Sequence, residues 1–117
     1  MDESILTSIK KLLGIMEDDT SFDMDIIIHI NSAFSTLTQL GVGPSTGFKI
    51  NNSFTLWSSF MQYDELRLEM IKTYVYLKVR LVFDPPTNSS VIESINRNIS
   101  ELEWRINNVV DYQSNSE

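Results

Sequence analysis

The sequence predicts an all-α fold: a compact bundle of about four helices with a central third helix, and an irregular loop or short β-hairpin between helices two and three. Three observations predict it. Apolar residues recur at steps of three and four along four separate segments. Three of the four glycines and one of the three prolines fall between Gly41 and Gly47, where no such period survives. The chain has 117 residues, the length of one ordinary domain, and can bury roughly two-thirds of its unfolded surface without disulfides or metal. One helical domain is expected over residues 1–111, with a short polar tail over 112–117.

The first helix is expected from about Asp2 to Leu13, because Ile5, Ile9, Leu12 and Leu13 recur at helical spacing and Gly14 supplies a stop. EDDTSFDMD, Glu17 to Asp25, follows as an acidic turn. Thr20 or Ser21 is expected to cap the second helix, with Asp23 and Asp25 in its first turn, where carboxylates favour the helix dipole. That helix is expected from about Phe22 to Leu40. Ile26, Ile27, Ile30, Ala33, Phe34, Leu37 and Leu40 form one stripe, and Asp25, His29, Ser32 and Thr36 lie on the other side. Gly41 ends it. In GVGPSTGFKINNSFTLW, FKI and SFTL are candidates for two short β segments about Asn51-Asn52. Trp57 to Met61 is expected to make a helical turn.

YVYLKVRLVFDPP, from Tyr74 to Pro86, alternates like a strand over a short window. A longer window gives a helix. Leu66, Met70, Tyr74, Leu77 and Leu81 step by four or three, and Leu68, Ile71, Val75, Val79 and Val82 do so on another side. Glu65, Glu69, Lys72, Tyr76 and Arg80 fill a polar strip between them. A helix apolar on two sides is central to its bundle. Asp64-Glu65 mark its start and Asp84-Pro85-Pro86 its end, since proline lacks the N–H and disfavours helix at the residue before it. The fourth helix is expected from about Asn88 to Val110. Ser90 and Glu93 suggest a capping box. Ile92, Ile95, Ile99, Leu102, Ile106 and Val109 give a heptad-like seam, and Glu93, Arg97, Glu101 and Arg105 an i,i+4 ladder of alternating sign.

Charge and motifs narrow the function. The absence of cysteine excludes thiolate catalysis, Cys-bound zinc and disulfides, and fits a reducing cytosol. A net charge of −7 argues against tight binding to DNA phosphates, which needs cationic side chains. No apolar run approaches the roughly 20 residues of a membrane span, and the acidic start MDESILTSIKKLLGI is unlike a secretory signal. Asp18, Asp19, Asp23 and Asp25 lack the central glycine and distal glutamate of a calcium loop. GVGPSTGFK lacks the GK[ST] ending and preceding strand of a phosphate loop. His29, the lone histidine, has only Asp25 one turn away, which reads as a surface ion pair. No catalytic, cofactor or metal constellation emerges, and the chain reads as a non-enzyme. Trp104 stands out instead. It lies about 160–200° round the helix from Leu102 and Ile106 at 100° per residue, so either another part of the chain covers it or a partner does. Ile28 raises the same question on helix two.

LGVGPSTGF, the pair Trp57 and Phe60, IKTYVYLKVRLVFDPP and ELEWRIN together resemble the head-tail connector, or adaptor, proteins of long-tailed bacteriophages and prophages. The resemblance runs from Ile5 to Asn107, and VRLVFDPP and EWRIN are its most specific parts. It implies a mostly helical subunit, made in the host cytoplasm and carried in the virion neck at the head-tail junction. Such subunits form a ring, dodecameric by the resemblance, beneath the portal protein. The ring extends the DNA exit channel, with DNA passing through without specific binding, and offers a platform to the next neck or tail-completion protein. Leu81, Phe83, Asp84, Pro85 and Pro86 would form the helix end and turn. Trp104 and Arg105 would sit on the last helix in structural or interfacial roles.

A ring needs two different, complementary patches per subunit. The candidates are the acidic turn with Asp18, Asp19 and Asp23, and the basic residues Lys72, Lys78 and Arg80, with Ile28 and Trp104 adding apolar contact and charge pairing setting register. Reversing Lys72 and Lys78 to glutamate is then expected to impair assembly and leave the monomer folded. The Gly41–Leu56 loop, too poor in periodic apolar residues to be core, is expected to reach a neighbour or the tail-side partner, and the loop and the tail are expected to order only on docking. The competing reading is a monomeric or dimeric helical module that caps another protein, for which the heptad seam serves equally well.

Overall fold

The computed structural model describes residues 3–62 and 64–115, with residues 109–115 described by their backbone alone. Among the described residues the chain folds into α1 (Ile5–Leu13), α2 (Asp23–Gln39), α3 (Glu65–Phe83) and α4 (Ser89–Asn115), with a 3₁₀ turn at Trp57–Ser59. The expected helix start at Asp2, the seam position of Val109 and the end of the tail, Ser116 and Glu117, lie outside what is described. The backbone of α4 continues to Asn115, past the expected Val110.

Helix α3 packs against α1, α2 and α4, as its two-sided pattern requires. Ile71, Tyr74, Val75 and Val79 are buried, while Leu66 and Val82, in its first and last turns, are exposed. The Asp64 carboxylate starts the helix by accepting the Arg67 N–H at 3.0 Å while its other oxygen holds the Arg67 guanidinium. The Asp84 N–H closes it on the Arg80 carbonyl at 3.0 Å, and Pro85 and Pro86 prevent continuation.

Two capping expectations are corrected, at α2 and at α4. At α1 the cap is Ser4, whose hydroxyl accepts the Thr7 N–H at 3.2 Å. Neither Thr20 nor Ser21 caps α2. Phe22 holds that position without a side-chain bond, because the Ser21 N–H and hydroxyl both turn to the Asp19 carboxylate. At α4 the side-chain oxygen of Asn88 accepts the Ser90 N–H at 2.8 Å. Ser90 is thus already inside the first turn and no capping box forms.

The stretch between α2 and α3 is an irregular loop. FKI and SFTL do not pair with each other, because each is claimed by a helix. The Asn31 side-chain amide accepts the Ile50 N–H at 2.7 Å and donates to the Ile50 carbonyl at 2.8 Å, standing in for a neighbouring strand. On the other side, the Thr55 carbonyl accepts the Ile5 N–H at 2.9 Å and the Trp57 N–H donates to the Glu3 carbonyl at 3.2 Å, with an isolated bridge between Ser4 and Leu56. The loop is also core, contrary to expectation. Val42 and Ile50 are buried with Trp57 and Phe60 just beyond them, and the Phe34 ring meets those of Phe48 and Phe60 at 5.0 and 4.8 Å. Gly43 is demanded by this packing. Its φ is +85° and a Cβ there would fall 2.5 Å from the Phe60 ring.

Buried polar groups are tied to specific partners. The Trp57 indole N–H donates to the Ser8 hydroxyl at 2.8 Å, and that hydroxyl donates to the Ile5 carbonyl at 3.0 Å. Lys10 lies at the edge of the buried face of α1, its side chain 4% exposed. Its ammonium donates to the Glu17 carbonyl at 3.0 Å and the Asp19 carbonyl at 2.7 Å. It also faces the Asp23 carboxylate at 2.9 Å, an ion pair without the alignment of a hydrogen bond. One cation thereby folds the acidic turn onto α1 and fixes where α2 begins. Between α3 and α4, the buried Tyr74 hydroxyl donates to the Glu103 carboxylate at 2.7 Å. Burial, then the hydrogen bond and charge of Glu103, raise this phenol well above its ordinary value.

These two buried groups should each leave a mark on stability. Lys10→Met leaves Asp23 and two carbonyls without their cation, and should cost about 3 kcal/mol in urea unfolding; a loss below about 1 kcal/mol would mean the node is no more than a surface pair. For Tyr74 the folded-state pKa lies above that of the unfolded chain. Its contribution is complete below pH about 10 and is lost as pH rises further, because the unfolded chain releases the proton first. Unfolding measured from pH 8 to 11 should therefore show the native chain losing stability relative to Tyr74→Phe at the alkaline end. Parallel curves for the two proteins would refute the linkage.

Candidate assembly surfaces

The residues expected at an interface are placed in three settings. Asp23 points inward to Lys10 and is spent on the fold. Asp18 and Asp19 are exposed in the same turn. The Ser21 hydroxyl and N–H hold the Asp19 carboxyl below its ordinary range, so it stays ionised on the outside of the turn. Asp25 and His29 form no ion pair among the described residues.

The basic residues of α3 expected at an interface, Lys72, Lys78 and Arg80, do not form one patch. Spaced at 100° per residue they fan around the helix, and each is engaged within the subunit. Lys72 pairs with Glu69 at 3.5 Å and stands 5.8 Å from the centre of the Trp57 ring. Lys78 stands 5.9 Å from the Tyr74 ring. Arg80 donates to the Tyr76 hydroxyl at 3.1 Å, beside a cleft of about 260 Å³ bounded by Lys11, Gly14 and Asp84. Charge reversal at Lys72 and Lys78 therefore alters packing inside the subunit as well as its surface.

Trp104 and Ile28 are not covered by the chain. Trp104 is 67% exposed and Ile28 60%. Each follows from helix geometry. On α4 the buried positions Ile95, Ile99 and Ile106 are about 140–180° from Trp104, and on α2 Ile26 and Ile30 are about 160° from Ile28. Met24 and Asp25, also exposed, share the outward face with Ile28. Near Trp104 the outward face carries Arg97, Glu101 and Arg105. Among the described residues only Glu101 and Arg105 of the expected ladder pair, at 3.7 Å and exposed, an arrangement worth little to the fold.

Two features were not found by sequence reasoning. Lys10 is the first, with its place in the core. The second is Phe54, which at 82% is the most exposed large apolar side chain among the described residues. It sits on a turn in which the Phe54 N–H donates to the Asn52 side-chain oxygen at 2.8 Å. The NNSFT string signals a turn of this kind, but a hairpin reading gave its phenylalanine no special place. A groove of about 470 Å³ runs between α2 and the Thr46–Lys49 segment. No cluster of three or more acidic or histidine side chains suited to a metal ion occurs among the described residues, and no described helix is long and apolar enough to cross a membrane.

The chain is thus a helical block whose unexplained features are apolar side chains turned outward. No curated protein and no solved structure matches it. A family model described as phage connector protein matches residues 5–113, spanning all four helices and the loop, and the chain belongs to that family.

Proposed function

We propose that this chain is a head-tail connector subunit that assembles with copies of itself into a ring beneath the portal. The ring lengthens the DNA exit channel and joins the capsid to the tail. The family match over residues 5–113 carries this reading. The outward Trp104 and Ile28 support it, since an aromatic side chain left exposed by its own chain is the usual anchor of a protein interface.

The acidic balance of −7 suits a wall past which DNA must slide, because a net negative surface repels phosphate. In this role the subunit contributes surface and shape and no chemistry. Asp18, Asp19, Arg105 and the two exposed apolar residues make contacts with neighbours, the portal or the next neck protein. The turn at Asp84, Pro85 and Pro86 sets the angle at which α4 presents Trp104.

The test is incorporation. Trp104→Glu and Ile28→Glu should each leave subunit stability within about 0.5 kcal/mol, as surface changes do. Each should also reduce the amount of subunit in purified particles and leave packaged heads without tails. Particles carrying normal amounts of both variants and retaining their tails would overturn the interfacial role. A native subunit absent from tailed particles would overturn the connector reading.

A further inference from the structure

The acidic residues are unevenly placed. None occurs between Asp25 and Asp64, and Lys49 is the one lysine or arginine in that interval. Copies of a chain with net charge −7 repel one another, so they approach most easily where neither presents a carboxylate. Two complementary shapes lie inside this interval. One is the exposed Phe54, held on its turn by Asn52 and tied at Thr55 to the start of α1. The other is the groove along the C-terminal half of α2, with Asn31, Ser35 and Gln39 on one wall and Thr46 to Lys49 on the other.

The groove is preformed. Asn31 fixes its rim by gripping the Ile50 backbone, and the Phe48 ring is wedged against Phe34 and Phe60 at 5.0 and 5.1 Å. It is an open groove of about 470 Å³, shallow enough to receive a side chain from another surface. Phe48 offers an aromatic surface for a second ring. The side chains of Ser35, Gln39 and Thr46 make no hydrogen bond among the described residues and remain available to the amides and hydroxyls that flank Phe54.

We propose that Phe54 of one copy of this chain docks in the groove between α2 and Thr46–Lys49 of the next copy. The proposal rests on the connector reading and deepens it by naming one subunit-to-subunit contact. Knob and groove are different surfaces of the same subunit, so the contact can be heterologous and, repeated head to tail, propagate around the proposed ring. It is electrically neutral apart from Lys49. Its rigid parts require little ordering on association.

The lack of cysteine permits a directional test. Particles are assembled with an equal mixture of Phe54→Cys and Ser35→Cys chains, both positions being exposed, and treated with a mild oxidant. Disulfide dimers joining the two variants should form, well above a control mixture of Phe54→Cys with Ser100→Cys on α4. A subunit present in the particles but cross-linked no more than the control overturns this contact and leaves the connector reading standing. A native subunit absent from the particles overturns both. Where the cysteine chains are not incorporated, hydroxyl-radical footprinting of native particles decides. Phe54 should lose most of the oxidation it shows in the isolated chain, and equal oxidation in the two states overturns the proposal.

Discussion

Helix α3 carries more apolar surface than any one neighbour can cover, and the placement of every other element answers to that. Its buried positions, Ile71, Tyr74, Val75 and Val79, sweep about 140° of its circumference at 100° per residue, wider than the stripe one packed helix shields. Three helices pack against it. Enclosing a helix this way also encloses polar atoms, and each must keep a partner. The Tyr74 hydroxyl has Glu103, the Trp57 indole has Ser8, and Lys10 has two carbonyls and a carboxylate. These contacts fix α4 against α3, the loop end against α1, and the acidic turn against α1. The apolar requirement brings the helices together, and the polar pairings choose how they sit.

The same enclosure explains why the chain has apolar surface left over. Leu66 and Val82 belong to α3 stripes that run on beyond their neighbours, so they end in solvent. Trp104, Ile28 and Phe54 differ. Each is on an outward face or a turn where the fold gains nothing from a large apolar side chain. Single exposed apolar residues are ordinary on protein surfaces. A tryptophan and a phenylalanine 67% and 82% exposed on rigid elements are less so, and in a family of virion connectors they point toward assembly.

What was legible in the sequence was what depends on local period. The steps of three and four in Leu66–Phe83 made α3 a helix despite its β-branched and aromatic content, and two prolines fixed its end. The outward direction of Trp104 followed from the same arithmetic. Illegible features were those decided by residues far apart in the chain. The Asn31 amide meets Ile50, nineteen positions on, and nothing in FKI announces that a helix side chain will take the place of a strand. Lys10 looks like half of a Lys10-Lys11 surface pair, and only the folded-back turn makes it a core residue. Asn88, Ser89 and Ser90 are all good caps, and in the fold it is the Asn88 side chain that accepts the Ser90 N–H.

A loop that belongs to its subunit's core changes what assembly requires. Had Gly41–Leu56 been unstructured in the free chain, docking would have had to offset the entropy of ordering it. Here Val42, Ile50 and Phe48 anchor it beforehand, so an association using this surface is opposed chiefly by loss of rigid-body freedom and by the mutual repulsion of acidic copies. One aromatic contact per neighbour is too small to overcome both in dilute solution. A ring is a different case. In the proposed ring, once one copy sat on a portal, the next would find its site at high effective concentration, and each added copy would engage both the template and its neighbour. Weak, neutral, preformed contacts between strongly charged copies would thus, in the proposed ring, keep the chains apart in dilute solution and let them close where a template is.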